Sequence, residues 1–225
     1  MKKMSIAIDG PAGAGKSTVA QIVARRLKYI YIDTGAMYRA VSWKVLQENL
    51  TEKDRDAIIQ IAKEITITLT YVDGKTTVFA DGCNVTGAIR NPEVSRMVSE
   101  VAQIEAVRKA MVDLQRKMAE QGGVVMDGRD IGTHVLPNAD LKIFLTASIE
   151  ERAQRRYKEL TEKGFTIRLE ELTQEIEERD KKDSEREISP LIQAPDAIFM
   201  DTTLLSIEQA VVLILTMCKE SEGIV

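Results

Sequence analysis

Met4-Ser5-Ile6-Ala7-Ile8-Asp9-Gly10-Pro11-Ala12-Gly13-Ala14-Gly15-Lys16-Ser17-Thr18 runs from a compact apolar segment through a glycine-rich turn into residues with helical spacing. Met4 to Ile8 predicts a strand, and Val19, Ile22, Val23 and Leu27 share one face of a helix predicted over about 16–27. Between them, Gly10-x-x-x-x-Gly15-Lys16-Ser17 has glycines that let successive backbone N–H groups turn inward around phosphate oxygens at a helix N-terminus. In that arrangement Lys16 reaches the β- and γ-phosphates, Ser17 offers its hydroxyl near a Mg²⁺ ion, and Thr18 helps hold the first helical turn or the phosphate. The motif predicts a gripped nucleoside triphosphate and leaves the reaction open.

Further along, Tyr29 to Ile32 reads as a second short strand, followed by Asp33-Thr34-Gly35 and a helix over about 36–48. Val124-Val125-Met126 and Leu141 to Leu145 are continuous apolar runs, as expected of parallel strands covered on both faces, and Ala197 to Met200 reads as a last strand. Helical periodicity separates these runs. The fold class is therefore α/β, a P-loop NTPase-type doubly wound parallel sheet of about five strands.

Two segments depart from that pattern. Ile65, Ile67, Leu69 and Tyr71 alternate with Thr66, Thr68, Thr70 and Val72, and Asp73-Gly74 then leads to Thr76 through Ala80, which predicts an antiparallel hairpin with one wet face. Asp81-Gly82 follows, so about 66–87 reads as a small antiparallel β insert, and Asn91-Pro92 opens a helical stretch running through Met118. Two charged helices, about 148–163 and 169–185, are joined by a turn containing Gly164 and read either as a mobile lid or as a solvated helical hairpin.

Bulk properties exclude several classes. A chain of 225 residues suits one α/β domain with a small insertion. With 31 basic against 35 acidic residues, a net charge of −4 argues against a protein that coats nucleic acid, so any anion site must be local. Cys83 and Cys218 are far apart, lack metal-ligand spacing and have one histidine for company; two reduced thiols are expected. The apolar run after Lys2 and Lys3 is interrupted by Asp9, and no later run is long enough to span a bilayer, so a cytoplasmic protein with no membrane partner is expected.

Other chemistry clusters at the ends of the apolar runs. Asp127 follows Val124-Val125-Met126 as the strand-end carboxylate that a P-loop protein places beside the metal, acting indirectly through water, and Gly128-Arg129-Asp130 continues from it. Arginine, suited to bidentate phosphate binding, recurs at Arg129, Arg152, Arg155, Arg156, Arg179 and Arg186. Arg179, Asp183 and Arg186 have i, i+4, i+7 spacing and are expected on one helical face. Trp43 and the methionines read as packing residues.

Four motifs together resemble the bacterial cytidylate kinases from the first strand to the last helix. They are Gly10 through Thr18, Asp33-Thr34-Gly35-Ala36-Met37-Tyr38-Arg39, Asp127-Gly128-Arg129-Asp130-Ile131-Gly132-Thr133, and Arg179-Asp180-x-x-Asp183-x-x-Arg186. The resemblance implies a single kinase domain with a core (about 1–33, 120–148 and 190–225), a monophosphate-binding region with the β insert (about 34–119) and an arginine-bearing lid (about 149–189). It implies transfer of phosphate from ATP to CMP or dCMP with Mg²⁺; nothing in the sequence demands an oligomer, so a monomer is expected. It assigns Thr34, Arg39 and Arg129 to the CMP phosphate, and Ser99, Arg108 and Asp130 to the base. Arg179 and Asp183 fall near the monophosphate and sugar. Arg186, Arg179, Arg129 and Lys16 would neutralise the migrating phosphoryl group, and Arg152 and Arg156 are the lid arginines expected on ATP, with Arg155 a third candidate. Thr34 stands where many relatives have serine and keeps the hydroxyl. His134, the one histidine, is read as structural or surface, since a phosphate acceptor is already anionic.

Other readings are a GTPase-like switch, a nucleic-acid-binding ATPase, and a kinase for UMP or another small phosphorylated metabolite. The first lacks an Asn-Lys-x-Asp signature, the second is disfavoured by charge and length, and the third differs only in the residues that read the base.

Overall fold

The computed structural model describes residues 3–72, 75–162 and 164–221, which form two compact units, residues 1–31 with 119–225 and residues 32–118. In the first unit β1 (Ser5–Asp9) leads through the glycine-rich turn into α1 (Lys16–Leu27). The chain leaves this unit along β2 (Ile30–Asp33) and returns at the end of α5 (Glu105–Ala119). It then supplies β6 (Val124–Gly128), a π-helical turn (Ile131–Val135) and β7 (Leu141–Thr146). The charged helices α6 (Ile149–Glu162) and α7 (Leu169–Glu185), the strand β8 (Ile198–Asp201) and α8 (Ile207–Ser221) complete it.

The sheet is ordered β2-β6-β1-β7-β8, and β1 pairs in parallel with both β6 and β7. The predicted strands and their core therefore stand as expected. Ile6, Ile8, Val125, Ile143 and Leu145 of the strands pack with Val19 and Val23 of α1 and with Val211 and Ile214 of α8. Each such side chain removed from water contributes roughly 1.5–3 kcal/mol, which holds the glycine-rich turn rigidly at the strand end. Asp9 lies opposite Gly128 in the β1–β6 register, so two neighbouring strands deliver their polar ends at one edge of the sheet.

The second unit begins with α2 (Thr34–Gln47) and α3 (Arg55–Glu64), followed by the antiparallel sheet β3 (Ile67–Val72), β4 (Lys75–Ala80) and β5 (Cys83–Asn84). The hairpin is as predicted: Ile67 pairs with Ala80 and Leu69 with Val78, while Ile65, Ile67, Val78 and Ala80 are buried and Thr66 and Thr68 face solvent. The turn expected at Asp73-Gly74 lies outside the described residues, as does Lys163 at the end of the first charged helix.

One expectation is corrected here. The helical stretch from Pro92 is two helices, α4 (Pro92–Val101) and α5, because the chain tightens into i→i−3 bonds from Gln103 N to Glu100 O and from Ile104 N to Val101 O. The Arg108 guanidinium donates to the Ala102 carbonyl at 3.3 Å and satisfies an acceptor exposed by that break. Both halves have helical periodicity, so spacing alone does not reveal the joint.

Candidate active site

The first unit brings most of the predicted phosphate chemistry to the strand ends. Gly10 has φ +145°, and the Lys16 side chain is buried, with Nζ donating to Pro11 O at 2.7 Å. Burial, with Arg129 adding to it, pulls the Lys16 ammonium well below the ordinary lysine range. An anionic phosphate is the partner that reverses both effects.

Two of the lid arginines act on the carbonyl side of the turn. Arg152, buried, donates to Ala12 O at 3.1 Å and Ala147 O at 2.9 Å and pairs with Asp180 at 2.7 Å. Arg155 donates to Ala14 O at 3.3 Å and Thr202 O at 3.0 Å, and Thr202 Oγ1 also donates to Ala14 O at 3.3 Å. Carbonyl oxygens would repel a phosphate, and these bonds engage them elsewhere. Arg156 is instead held by Glu159 on its own helix at 2.8 Å.

Asp127, buried at the end of β6, accepts from Ser17 Oγ at 2.7 Å and from Tyr31 OH at 2.9 Å. The described residues hold no cluster of three His, Cys, Asp or Glu able to cage a metal. A hydroxyl and one carboxylate side by side do fit Mg²⁺, which keeps several waters and takes one or two protein oxygens together with substrate phosphates.

Beyond Asp127, Arg129 Nε donates to Asp183 Oδ2 at 2.8 Å, and Arg186 lies 3.8 Å from Asp183 Oδ1 and 3.9 Å from Asp130 Oδ1. Burial would raise the Asp183 carboxyl, yet Arg129, Arg179 and Arg186 together hold it below the usual carboxylate range. The expected face of α7 needs one correction. The helix ends at Glu185, and Arg186 is its cap in extended conformation (φ −64°, ψ 141°), so its side chain reaches Asp183 from outside the helix.

In the second unit, Asp33 caps α2 by accepting from Ala36 N at 2.8 Å, which places Thr34 at the first helical position and Arg39 one turn on. The Arg39 guanidinium lies over Gly35, with Nη1 3.3 Å from where a β-carbon there would stand. Arg108 is buried on α5 with its guanidinium 5.6 Å from the centre of the Tyr38 ring, and Ser99 is half-buried on α4.

Residues given no role from sequence also enter the site. Tyr31, Asp180 and Thr202 position Asp127, Arg152 and the glycine-rich turn, and Asp9 accepts from the backbone of Ile131 and Gly132. Asp180 carried a signal as part of the motif from Arg179 to Arg186, and Asp9 as an acid closing an apolar strand; Tyr31 and Thr202 carried none. His134 is exposed beside Thr133, consistent with the surface reading.

Burial raises the Asp9 carboxyl to about 6, against the N–H bonds from Gly132 and Ile131 that lower it. A raised carboxyl pKa means that the fold favours the protonated form, so this contribution is full below about pH 4 and lost as pH rises through about 6. Wild-type stability, compared with Asp9→Asn by urea unfolding, should therefore fall by about 2 kcal/mol between pH 4 and pH 7. A difference that stays flat with pH would contradict this.

A strand ending in a glycine-rich phosphate turn, a buried lysine, a strand-end aspartate bonded to the turn's serine and a cluster of arginines define a P-loop phosphotransferase. A family profile for cytidylate kinase matches residues 6–220. The cytidylate kinase of Caldicellulosiruptor bescii is 56% identical over 93% of this chain and 92% of its own, and that of Bacillus subtilis is 57% identical over 92% and 93%. The chain belongs to the cytidylate kinase family. A solved structure of an uncharacterized protein from Eubacterium ventriosum superposes with a TM-score of 0.52 at 12% identity, covering 97% of this chain and 99% of its own, and bears on the fold alone.

Proposed function

We propose that this kinase transfers the γ-phosphate of ATP to CMP or dCMP, giving ADP and CDP or dCDP. The observation that carries the reading is the cluster Arg129, Asp130, Asp183 and Arg186 at the sheet edge that also bears the phosphate turn. A triphosphate in the turn meets the backbone N–H groups that residues 10–18 other than Pro11 provide, and the Lys16 ammonium. A CMP phosphate oxygen attacks the γ-phosphorus in line, and catalysis comes from positioning and charge neutralisation by Lys16, Arg129, Arg179 and Arg186. Mg²⁺, held by Ser17 and through water by Asp127, supplies a counter-charge to the phosphates when bound.

On this reading Thr34 and Arg39 serve the CMP phosphate, and Ser99, Arg108 and Asp130 read the base. A carboxylate accepts from the cytosine N4 amine and repels the uracil O4, which favours CMP over UMP. For the lid arginines, the bonds of Arg152 and Arg155 to the turn support a role in holding the ATP cradle, whereas Arg156 is left to act once the helices move. Closure of α6 and α7 as a lid would exclude water from the reaction. Among the described residues no helix is long and apolar enough to cross a membrane, and a cytoplasmic monomer accompanies this reading.

The test is ADP release from Mg·ATP with CMP, dCMP, UMP and AMP in parallel. CMP and dCMP should stimulate it strongly and UMP weakly, and no stimulation by CMP would sink the proposal. Asp130→Asn should cost about tenfold or more of the CMP-over-UMP preference. An unchanged preference would remove Asp130 from base reading.

A further inference from the structure

Asp9 has no part in the phosphate chemistry above, yet it is buried and makes two long-range hydrogen bonds, both to the backbone just after Asp130. The turn that follows Asp130 is a π-helix whose internal bonds begin at Asp130 and Ile131: His134 N and Val135 N donate to Asp130 O, and Leu136 N donates to Ile131 O. The first N–H groups of a helical turn have no acceptor within it. Here Ile131 N and Gly132 N donate to Asp9 Oδ1 and Oδ2 at 2.8 and 2.7 Å, across 122 and 123 residues of sequence. One carboxylate from the end of β1 therefore caps the turn in the way a local Asp or Ser caps an ordinary helix.

The approach depends on Gly132. A β-carbon there would stand 3.3 Å from Asp9 Oδ2 and 3.1 Å from Lys142 Cδ, so the turn, the carboxylate or the lysine stem would have to give way slightly. Asp130 is the residue immediately before the capped turn, and its carbonyl accepts the first bonds inside it. The main chain at Asp130 is thus held on one side by β6 and on the other by Asp9.

We propose that Asp9 is a positioning residue for base selection: by capping the turn at Ile131 and Gly132 it orients the Asp130 carboxylate toward the acceptor base. This rests on the reading that Asp130 selects cytosine. Asp9→Asn keeps the size of the side chain but has one oxygen acceptor, and its amide NH₂ would face an N–H, so one of the two cap bonds is lost. The neighbouring Gly10 belongs to the ATP cradle, so a generalised disturbance at Asp9 should be felt first by ATP.

Initial rates of the full chain are measured with CMP and with UMP at saturating Mg·ATP, and the KM for ATP is measured separately. Asp9→Asn should lower the ratio of kcat/KM for CMP over UMP about tenfold, with the KM for ATP within about twofold of wild type. Gly132→Ala, which leaves the carboxylate in place, should lower the same ratio. Both substrates are compared in one preparation, so a reduced folded fraction cancels from the ratio. A retained ratio in either variant, or a raised KM for ATP with the ratio intact, overturns the inference. A wild-type enzyme that does not prefer CMP defeats the underlying function instead, and is recognised before any variant is made.

Discussion

Gly10→Ala should destabilise the protein by about 3 kcal/mol or more, a large share of the roughly 5–15 kcal/mol that holds an ordinary domain folded. A β-carbon at Gly10 would stand 1.9 Å from the Leu145 carbonyl oxygen, and the residue's φ of +145° is one that side chains other than glycine rarely adopt. Neither obstacle can relax locally. Leu145 is the last residue but one of β7, wholly buried and paired with Met200 of β8, in a strand that also pairs with β1, so the contact is with main chain that the sheet holds in place. Urea unfolding of the purified variant, or its solubility if none can be purified, gives the answer. A loss within 1 kcal/mol of zero would show that the turn shifts away from β7 more easily than its geometry allows.

Lys16→Met should lower kcat/KM by about a thousandfold while leaving the ligand-free protein as stable as the wild type or more so. The two halves of this expectation have one origin. The Lys16 ammonium is buried beside Arg129; desolvation and that guanidinium press against its charge and outweigh the Pro11 carbonyl and the carboxylates of Asp127 and Asp9, which favour it. Methionine fills the space of the stem without that charge, so the empty protein loses little. With a triphosphate present, the same ammonium faces developing negative charge at the migrating phosphoryl group, and its removal falls mainly on kcat. Steady-state kinetics and thermal unfolding on one preparation test both halves. A loss in kcat/KM below tenfold would take Lys16 out of catalysis, and a large drop in stability would contradict the electrostatic account.

Both residues were legible in the sequence because the phosphate turn is a local device: strand, glycines, lysine and helix follow one another without interruption from Met4 to Leu27. The parallel strands were legible for a similar reason, since burial on both faces writes a continuous apolar run such as Leu141 to Leu145. The joint at Ala102 was not, because two helices in tandem keep the periodicity of one. Arg152 and Arg156 have the same spacing on α6 relative to the turn of a helix, and only tertiary structure sends the first to Ala12 and the second to Glu159. Arg186 was expected on the face it serves, but it arrives there from the cap position rather than from the helix. Asp9 shows the limit most clearly. Its partners are backbone N–H groups, which every non-proline residue has, so no residue type far along the chain advertised the contact.

The carboxylate of Asp183 gives the arginine cluster a resident placeholder. Guanidinium groups gathered for a phosphate repel one another while they wait, and a site built of cations alone would have to assemble around each arriving substrate. With Asp183 bonded to Arg129 and close to Arg186, the resting protein already contains an anion at the place where positive charge is concentrated. The enzyme can therefore stand empty with its cations in formation, and an incoming phosphate joins an existing counter-ion arrangement instead of creating one.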